Sequence, residues 1–194
     1  MRKIHFVFPI LFSALCLAAC MNIATSGAQA IYNHHSIQKS VNDQLITLHA
    51  SQQLKRNTDI FKNSNISVAT IDSEVLLAGQ VPSTWQKMKA EQLIKDVPDV
   101  GSIHNVIKVE GTTSTLTRMS DMWITAKVKS KLIASNDVDA TLVKVVTENG
   151  TVYLMGTLKP EQAEAATDLA SNTDGVQSVV KVFSYIHITK NSKL

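Results

Sequence analysis

The run SDMWITAKVKSKL, Ser120 to Leu132, sets a tryptophan among three lysines, with Met122 beside it and Arg118 just upstream. An indole favours the boundary between water and hydrocarbon, and lysine and arginine pair with phosphate. Together these residue types suit the headgroup layer of an anionic lipid surface. At 100° per residue, Ile124, Val128 and Leu132 share an arc of about 80°, the spacing of a buried helical stripe. Trp123 lies about 140° from the centre of that arc, with Lys127 beside it and Met122, Ala126 and Lys129 completing the outer surface. Lys131 flanks the stripe and can extend its ammonium past it. Ser120 fits an N-cap with Asp121 in the first turn, and Arg118 and Met119 then lie just before the helix. The candidate lipid-binding set is Arg118, Met122, Trp123, Lys127, Lys129 and Lys131. A structural use competes with it: Trp123 can fill an interface between domains while the lysines form a solvated face.

A second chemical position is Cys20. Arg2 and Lys3 form a positive n-region, Ile4 to Ala19 is apolar apart from His5 and Ser13, and small residues precede the cysteine. The run is short for a membrane span, which needs about 20 residues, and reads as a removable signal peptide over residues 1–19. Leu17-Ala18-Ala19-Cys20 resembles the bacterial lipobox, whose cysteine becomes the acylated N-terminus. Several acyl chains hold a protein on a bilayer far more firmly than one, at about 0.8 kcal/mol per buried CH₂. Met21 stands where an aspartate would resemble an inner-membrane retention signal, which favours the periplasmic face of the outer membrane.

Other chemistries find little support. The only cysteines are Cys16 and Cys20, so a processed chain has no thiol for a disulfide, a metal or a nucleophile. Loss of Arg2 and Lys3 lowers the formal charge from +3 to +1, so any basic function must be local. Adjacent His34 and His35 lack a Cys, Asp or Glu companion and read as linker residues. His49, His104 and His187 are scattered, and no nucleophile elbow, phosphate loop, H-E-x-x-H or dinucleotide fingerprint occurs. Catalytic residues, a resident metal and a cofactor are therefore not expected. Nucleic acid is not expected either, because stacking platforms are missing.

The elements that must position the Trp–Lys run come from an internal repeat. Ile66–Gly79 aligns with Val143–Gly156 at an offset of 77, pairing Thr70 with Thr147, Val75 with Val152, Leu77 with Leu154 and Gly79 with Gly156. Each copy reads as two strands about a tight turn. Asn149-Gly150 is a strong type I′ signal and Asp72-Ser73 a poorer one. Upstream, Ile46, Ala50, Leu54 and Ile60 match Ile124, Val128, Leu132 and Val138 at offset 78. Downstream, a helix over Ser83–Asp96 carries Trp85, Met88 or Lys89, Gln92-Leu93 and Val97 at helical spacing. Its counterpart runs from Pro160 to Asn172, with a first-turn proline. The strands Val100–Val109 and Val176–Tyr185 follow at offset 76. Each unit is thus αββαβ. The economical packing is an α+β sandwich: a three-stranded mixed sheet with two helices on one face.

The segments are a lipidated N-terminus and irregular tether over residues 20–39, a first domain over 40–110, a linker over 111–117, a second domain over 118–188 and a tail over 189–194. Each domain is small enough for a shared interface to add stability. Subtracting 78 sets Trp123 on Leu45, Lys127 on His49, Lys129 on Ser51 and Lys131 on Gln53, so the basic-aromatic face belongs to the second copy alone.

The two units, with their V-x-L-x-G runs Val75–Gly79 and Val152–Gly156 and strands ending Ile103-x-Asn105-x-Ile107-x-Val109 and Val179-x-Lys181-x-Phe183-x-Tyr185, resemble BON domains. A lipobox followed by two such units resembles the dual-BON outer-membrane lipoproteins of Gram-negative bacteria. Lys181 departs from the asparagine expected there, which Asn105 keeps. The resemblance implies a non-enzymatic protein on the inner leaflet of the outer membrane. It implies that the first helix of the second domain binds anionic phospholipid, notably phosphatidylglycerol, through Trp123 and neighbouring lysines. It further implies a role in envelope integrity, with enrichment at the division site. The alternative partner class is protein: an adaptor binding outer-membrane assembly machinery, with Trp123 as its hot spot. The sequence does not fix an oligomeric state.

Overall fold

A computed structural model describes residues 27–186, with side chains described from residue 38 onward. The signal segment, Cys20, the beginning of the tether, His187 and the tail lie outside the described residues. In chain order the elements are helix α1 (Gly27–Arg56), strands β1 (Asn65–Ile71) and β2 (Glu74–Val81), helix α2 (Thr84–Lys95), and strands β3 (Ile103–Asn105) and β4 (Lys108–Val109). The second copy comprises helix α3 (Thr115–Ala134), a 3-10 turn (Ala140–Leu142), strands β5 (Lys144–Glu148) and β6 (Thr151–Leu158), helix α4 (Pro160–Ser171) and strand β7 (Ser178–Tyr185). This is the expected α+β architecture, twice.

Two boundaries differ from expectation. The segment read as an irregular tether is helical from Gly27, since it contains no proline and several good helix formers such as Ala28, Gln29 and Ala30. The segment read as a linker ends early, because α3 begins at Thr115 with Ser114 as N-cap, its Oγ accepting from Thr117 N at 3.0 Å. Ser120 is therefore an interior residue and not the cap. Asp121 has a different task. It is 5% exposed, and its carboxylate accepts from the amides of Asn149 and Gly150, both at 2.8 Å.

Those amides belong to the β5–β6 turn, where Asn149 and Gly150 have φ of 49° and 70°. The first copy repeats the device. Asp43 accepts from Asp72 N and Ser73 N at 2.9 Å each, and φ is 50° and 63°. Both turns are thus two-residue type I′ connections, the kind whose twist matches the paired strands. An amide pair turned inward needs an acceptor, and the helix aspartate supplies it where Asp72-Ser73 has weak turn chemistry of its own. A second repeated bond lies one turn of helix away: Thr47 Oγ1 donates to Thr70 Oγ1 at 2.8 Å, and Thr125 Oγ1 to Thr147 Oγ1 at 2.7 Å.

β1 and β2 pair antiparallel, and β3 and β4 continue parallel to β2; β5, β6 and β7 repeat this order. β3 and β4 share one register, with Leu77 opposite Asn105 and Gln80 opposite Lys108. The interruption arises at Asn105. Its amide nitrogen donates to Lys87 O at 3.0 Å and Glu91 Oε2 at 3.2 Å, while its Oδ1 accepts from Ile107 N at 3.3 Å. Lys181, in the equivalent place, is exposed, and β7 is continuous. The V-x-L-x-G glycines permit a close strand approach. A Cβ on Gly79 would stand 2.0 Å from the Asn65 carbonyl oxygen, and one on Gly156 2.0 Å from that of Leu142.

Alternation along β2 and β6 sorts the apolar residues into three layers of packing. Val75, Leu77 and Val81 meet Ile46, Ala50 and Leu54 of α1 and Ala90 and Ile94 of α2. Val152, Leu154 and Leu158 meet Ile124, Val128 and Leu132 of α3 and three alanines of α4. The opposite faces, Ala69, Leu76 and Ala78 from one sheet and Tyr153 and Met155 from the other, pack on each other. The result is helix, sheet, sheet, helix. One expectation fails here: Trp85 and Met88 do not enter the core but are 56% and 60% exposed. Ala90 and Ile94 lie on the other side of α2 and bring it close to the sheet.

The seam between the sheets also holds a carboxylate. Glu148 is 6% exposed and accepts from Ser67 Oγ at 2.5 Å, Asn65 Nδ2 at 3.0 Å and Gln80 Nε2 at 3.4 Å, all from the first domain. Burial pushes its pKa above the ordinary value of 4.5, while the bonds from Ser67 and Gln80 pull it down. A second bridge runs from Ser184 Oγ to Glu74 Oε1 at 2.8 Å.

Three outcomes follow from these contacts. Asp121→Ala leaves two turn amides without their acceptor and destabilises the protein by about 2–3 kcal/mol, read from urea denaturation, with Asp121→Asn recovering part of the loss. Gly156→Ala drives a methyl against the Leu142 carbonyl of the 3-10 turn and costs about 1–3 kcal/mol in the same measurement. The raised Glu148 pKa means that the folded protein holds this proton more tightly than the unfolded chain. Its contribution to stability therefore grows as pH falls through the raised value toward 4.5. Denaturation midpoints across that range should show this component in the parent protein and lack it in Glu148→Gln.

Candidate functional site

Helix α3 is apolar on two opposite sides. Ile124, Val128 and Leu132 are buried against the sheet. Facing away from them, Leu116, Met119, Met122, Trp123 and Ile133 are 76%, 62%, 73%, 69% and 74% exposed. At 3.6 residues per turn these five fall on one outward stripe, about 25 Å long from Leu116 to Ile133. A surface helix ordinarily turns polar residues outward. Trp123 does not fill the interface between the domains, because that seam is formed by strand residues and Trp123 stands clear of it.

The basic residues are arranged around this stripe in two ways. Lys127 Nζ donates to the carbonyl of Asp174, and Lys131 Nζ to that of Asn172. Asn172 caps the C-terminal end of α4, where unpaired carbonyls and the helix dipole favour a cation. The two ammoniums are thus fixed in place without being neutralised, since their acceptors carry no formal charge. Arg118 is held similarly, Nη1 donating to Thr113 O at 2.8 Å and Nη2 to Thr115 Oγ1 at 3.1 Å. Lys129 is exposed and makes no side-chain hydrogen bond or ion pair among the described residues.

The structure therefore brings Met122, Trp123 and Lys129 to the outer surface. It sets Lys127 and Lys131 on the flank toward α4, and Arg118 at the N-terminal end. Sequence reasoning missed Leu116 and set Met119 outside the helix because it started the helix six residues late, and it missed Ile133 because it followed the run only to Leu132. The signal was present: 116, 119, 123 and 133 recur at helical spacing. The first domain has a weaker counterpart. Val41, Leu45 and Leu48 of α1 are about half exposed, and they correspond to Met119, Trp123 and Ala126 at offset 78. An apolar outer face on the first helix is thus common to both copies; on that helix, tryptophan, methionines and a lysine cluster are the second copy's additions.

Among the described residues, no group of three His, Cys, Asp or Glu could hold a metal ion, and no helix is long and apolar enough to cross a membrane. His104 lies 3.1 Å from Glu74 beside the seam and is partly buried there.

Comparison with known proteins gives the same division of the chain. The BON domain family matches residues 42–111 and again 120–186. Outer membrane lipoprotein DolP of Haemophilus influenzae is 32% identical over 171 residues, covering 88% of this chain and 89% of that protein. A 21 kDa hemolysin of Actinobacillus pleuropneumoniae is 36% identical over 75% of each chain. Osmotically-inducible protein Y of Escherichia coli is 30% identical over 80% of this chain and 78% of its own. With two matches spanning most of its length and relatives aligned along most of theirs, the chain belongs to the BON-domain family and carries two BON domains in tandem, as a DolP-like protein.

Proposed function

We propose that this protein is an envelope lipoprotein whose second BON domain lays α3 on anionic phospholipid, phosphatidylglycerol being the model ligand. The observation that carries this reading is the exposed stripe Leu116, Met119, Met122, Trp123 and Ile133 on the side of α3 opposite its buried face. Burying one large apolar side chain contributes about 1.5–3 kcal/mol, so a row of them supplies substantial affinity for an apolar layer. The stripe is long and convex, a shape that suits a bilayer better than a groove-bound peptide. Lys127, Lys129 and Lys131 provide the charge at headgroup depth. The neighbouring α4 turns Glu161, Glu164 and Asp168 outward. An anionic surface repels these, so the domain tilts with α3 down and α4 raised.

Names of relatives support the wider context. One is called an outer membrane lipoprotein and another osmotically inducible. With the lipobox at Cys20, they favour a protein anchored by its acyl chains to the periplasmic face of the outer membrane. There it binds lipid without catalysis and supports envelope integrity, including at the division site, where anionic lipid and curvature concentrate. Incorporation of radiolabelled fatty acid that disappears in Cys20→Ala tests the anchor; label retained in the variant refutes it.

The lipid contact is tested with the processed chain from Met21 onward, which lacks both the apolar signal segment and Cys20, carrying Trp85→Phe, which leaves Trp123 as the sole indole. Brominated lipid in phosphatidylglycerol-containing vesicles should quench Trp123 and shift its emission to the blue. Lys129→Ala should weaken the titration roughly fivefold, since each cation near an anionic surface contributes about 1 kcal/mol. Added salt should weaken it further. An indole that stays in water at all lipid compositions refutes the lipid reading and turns attention to a protein adaptor.

A further inference from the structure

The chain contains two tryptophans, and both stand on outer helix faces, Trp85 at 56% and Trp123 at 69% exposure. Tryptophan is normally among the more buried residues, so leaving every copy in solvent needs a reason. Trp85 has Met88 one turn along α2, itself 60% exposed, with Lys87 and Lys89 adjoining. In the same helical layer α1 exposes Val41, Leu45 and Leu48. The second domain's outer layer has the larger apolar stripe, yet the first domain's layer has the more favourable charge. Helices α1 and α2 carry Lys39, Lys55, Arg56, Lys87, Lys89 and Lys95 against Asp43 and Glu91, a net +4. On α3 and α4, Arg118, Lys127, Lys129 and Lys131 meet Asp121, Glu161, Glu164 and Asp168, a net of zero.

The fold decides what this second patch can reach. Ala69, Leu76 and Ala78 pack on Tyr153 and Met155, so the sheets sit back to back and the helix layers face opposite ways. Glu148, held by Ser67, Asn65 and Gln80 across the seam, keeps them so. A flat bilayer that receives Trp123 therefore leaves Trp85 pointing away from it. Apolar groups spread over convex helices amid a basic field suit a broad anionic apolar layer, the same chemistry met at α3.

We propose that the outer face of the first domain, centred on Trp85 and Met88, is a second docking surface for anionic phospholipid, so that one molecule joins two apposed bilayers. The α3 contact supplies the other attachment, so this inference rests on the function proposed for that helix. The bridging follows from geometry: two attachment faces, held rigidly back to back, cannot close on a single flat membrane.

The test uses the processed chain from Met21 onward, without the signal segment or Cys20, and vesicles of phosphatidylcholine and phosphatidylglycerol. Light scattering reads clustering, and bromolipid quenching reads each indole in the Trp123→Phe and Trp85→Phe variants. The expected result is clustering by the parent chain, quenching of both indoles, and scattering that returns to that of free vesicles in Trp85→Ala/Met88→Ala. Lys87→Glu/Lys89→Glu should also abolish clustering, and both double variants should keep Trp123 quenching. Trp123 quenched with Trp85 left in water, or clustering that survives both double variants, overturns the second surface, and quenching of both without clustering overturns the bridging, while the α3 contact stands. Absence of quenching at both indoles overturns both readings.

Discussion

The packing of one sheet's back against the other's is the contact on which the rest of the molecule depends. A BON unit covers one face of a short sheet with its two helices and leaves the other face bare. In a chain of two units the bare faces can cover each other. Leu76 is fully buried on the far side of a strand whose Val75 and Leu77 are already buried under helices. Met155 has the same situation between Leu154 and Gly156. Such continuous burial along β2 and β6 is the pattern of strands covered on both faces. It obliges the helices to the outside, and the outward sides of those helices become the surface on which function must be written.

Much of this was legible in residue spacing. The offset near 77 between copies marks two αββαβ units, and the spacing of Ile124, Val128 and Leu132 marks the inner face of α3. What escaped notice was tertiary in origin. Asp121 resembles a first-turn acid in sequence, and its buried partners, the amides of Asn149 and Gly150, lie 28 and 29 residues away. Trp85 resembles a core residue because large apolar residues usually are. Only the sheet shows that the small side of α2, with Ala90, is the one that packs. A helix that is apolar on two sides defeats periodicity, since the pattern marks apolar positions without saying which set is covered.

The candidate site shows the same limit. Its residue types were recognisable, and their grouping on one helix was legible, but their division of labour was not. Lys131 caps α4 and Lys127 holds the turn that follows it, while Lys129 bonds none of the described side chains. The acidic outer side of α4 also had no meaning until it was known to share a layer with α3. It restricts the angle at which that layer meets an anionic surface, a constraint that belongs to the pair of helices.

Glu148 has a further consequence for how the tandem recognises itself. Its counterpart in the first copy is Ile71, so the seam is chemically lopsided: a carboxylate on one side, and Ser67, Asn65 and Gln80 as its donors on the other. Two second domains from neighbouring molecules, pressed together by their sheet backs, would face two buried carboxylates with no such donors between them. Two first domains would bury the donors with no acceptor for them. Each mismatched pairing carries a desolvation penalty that the proper one avoids. The unlike residues at equivalent positions therefore match a first domain to a second domain and penalise contact between two copies of the same kind, and the short covalent connection keeps a correct mate always at hand.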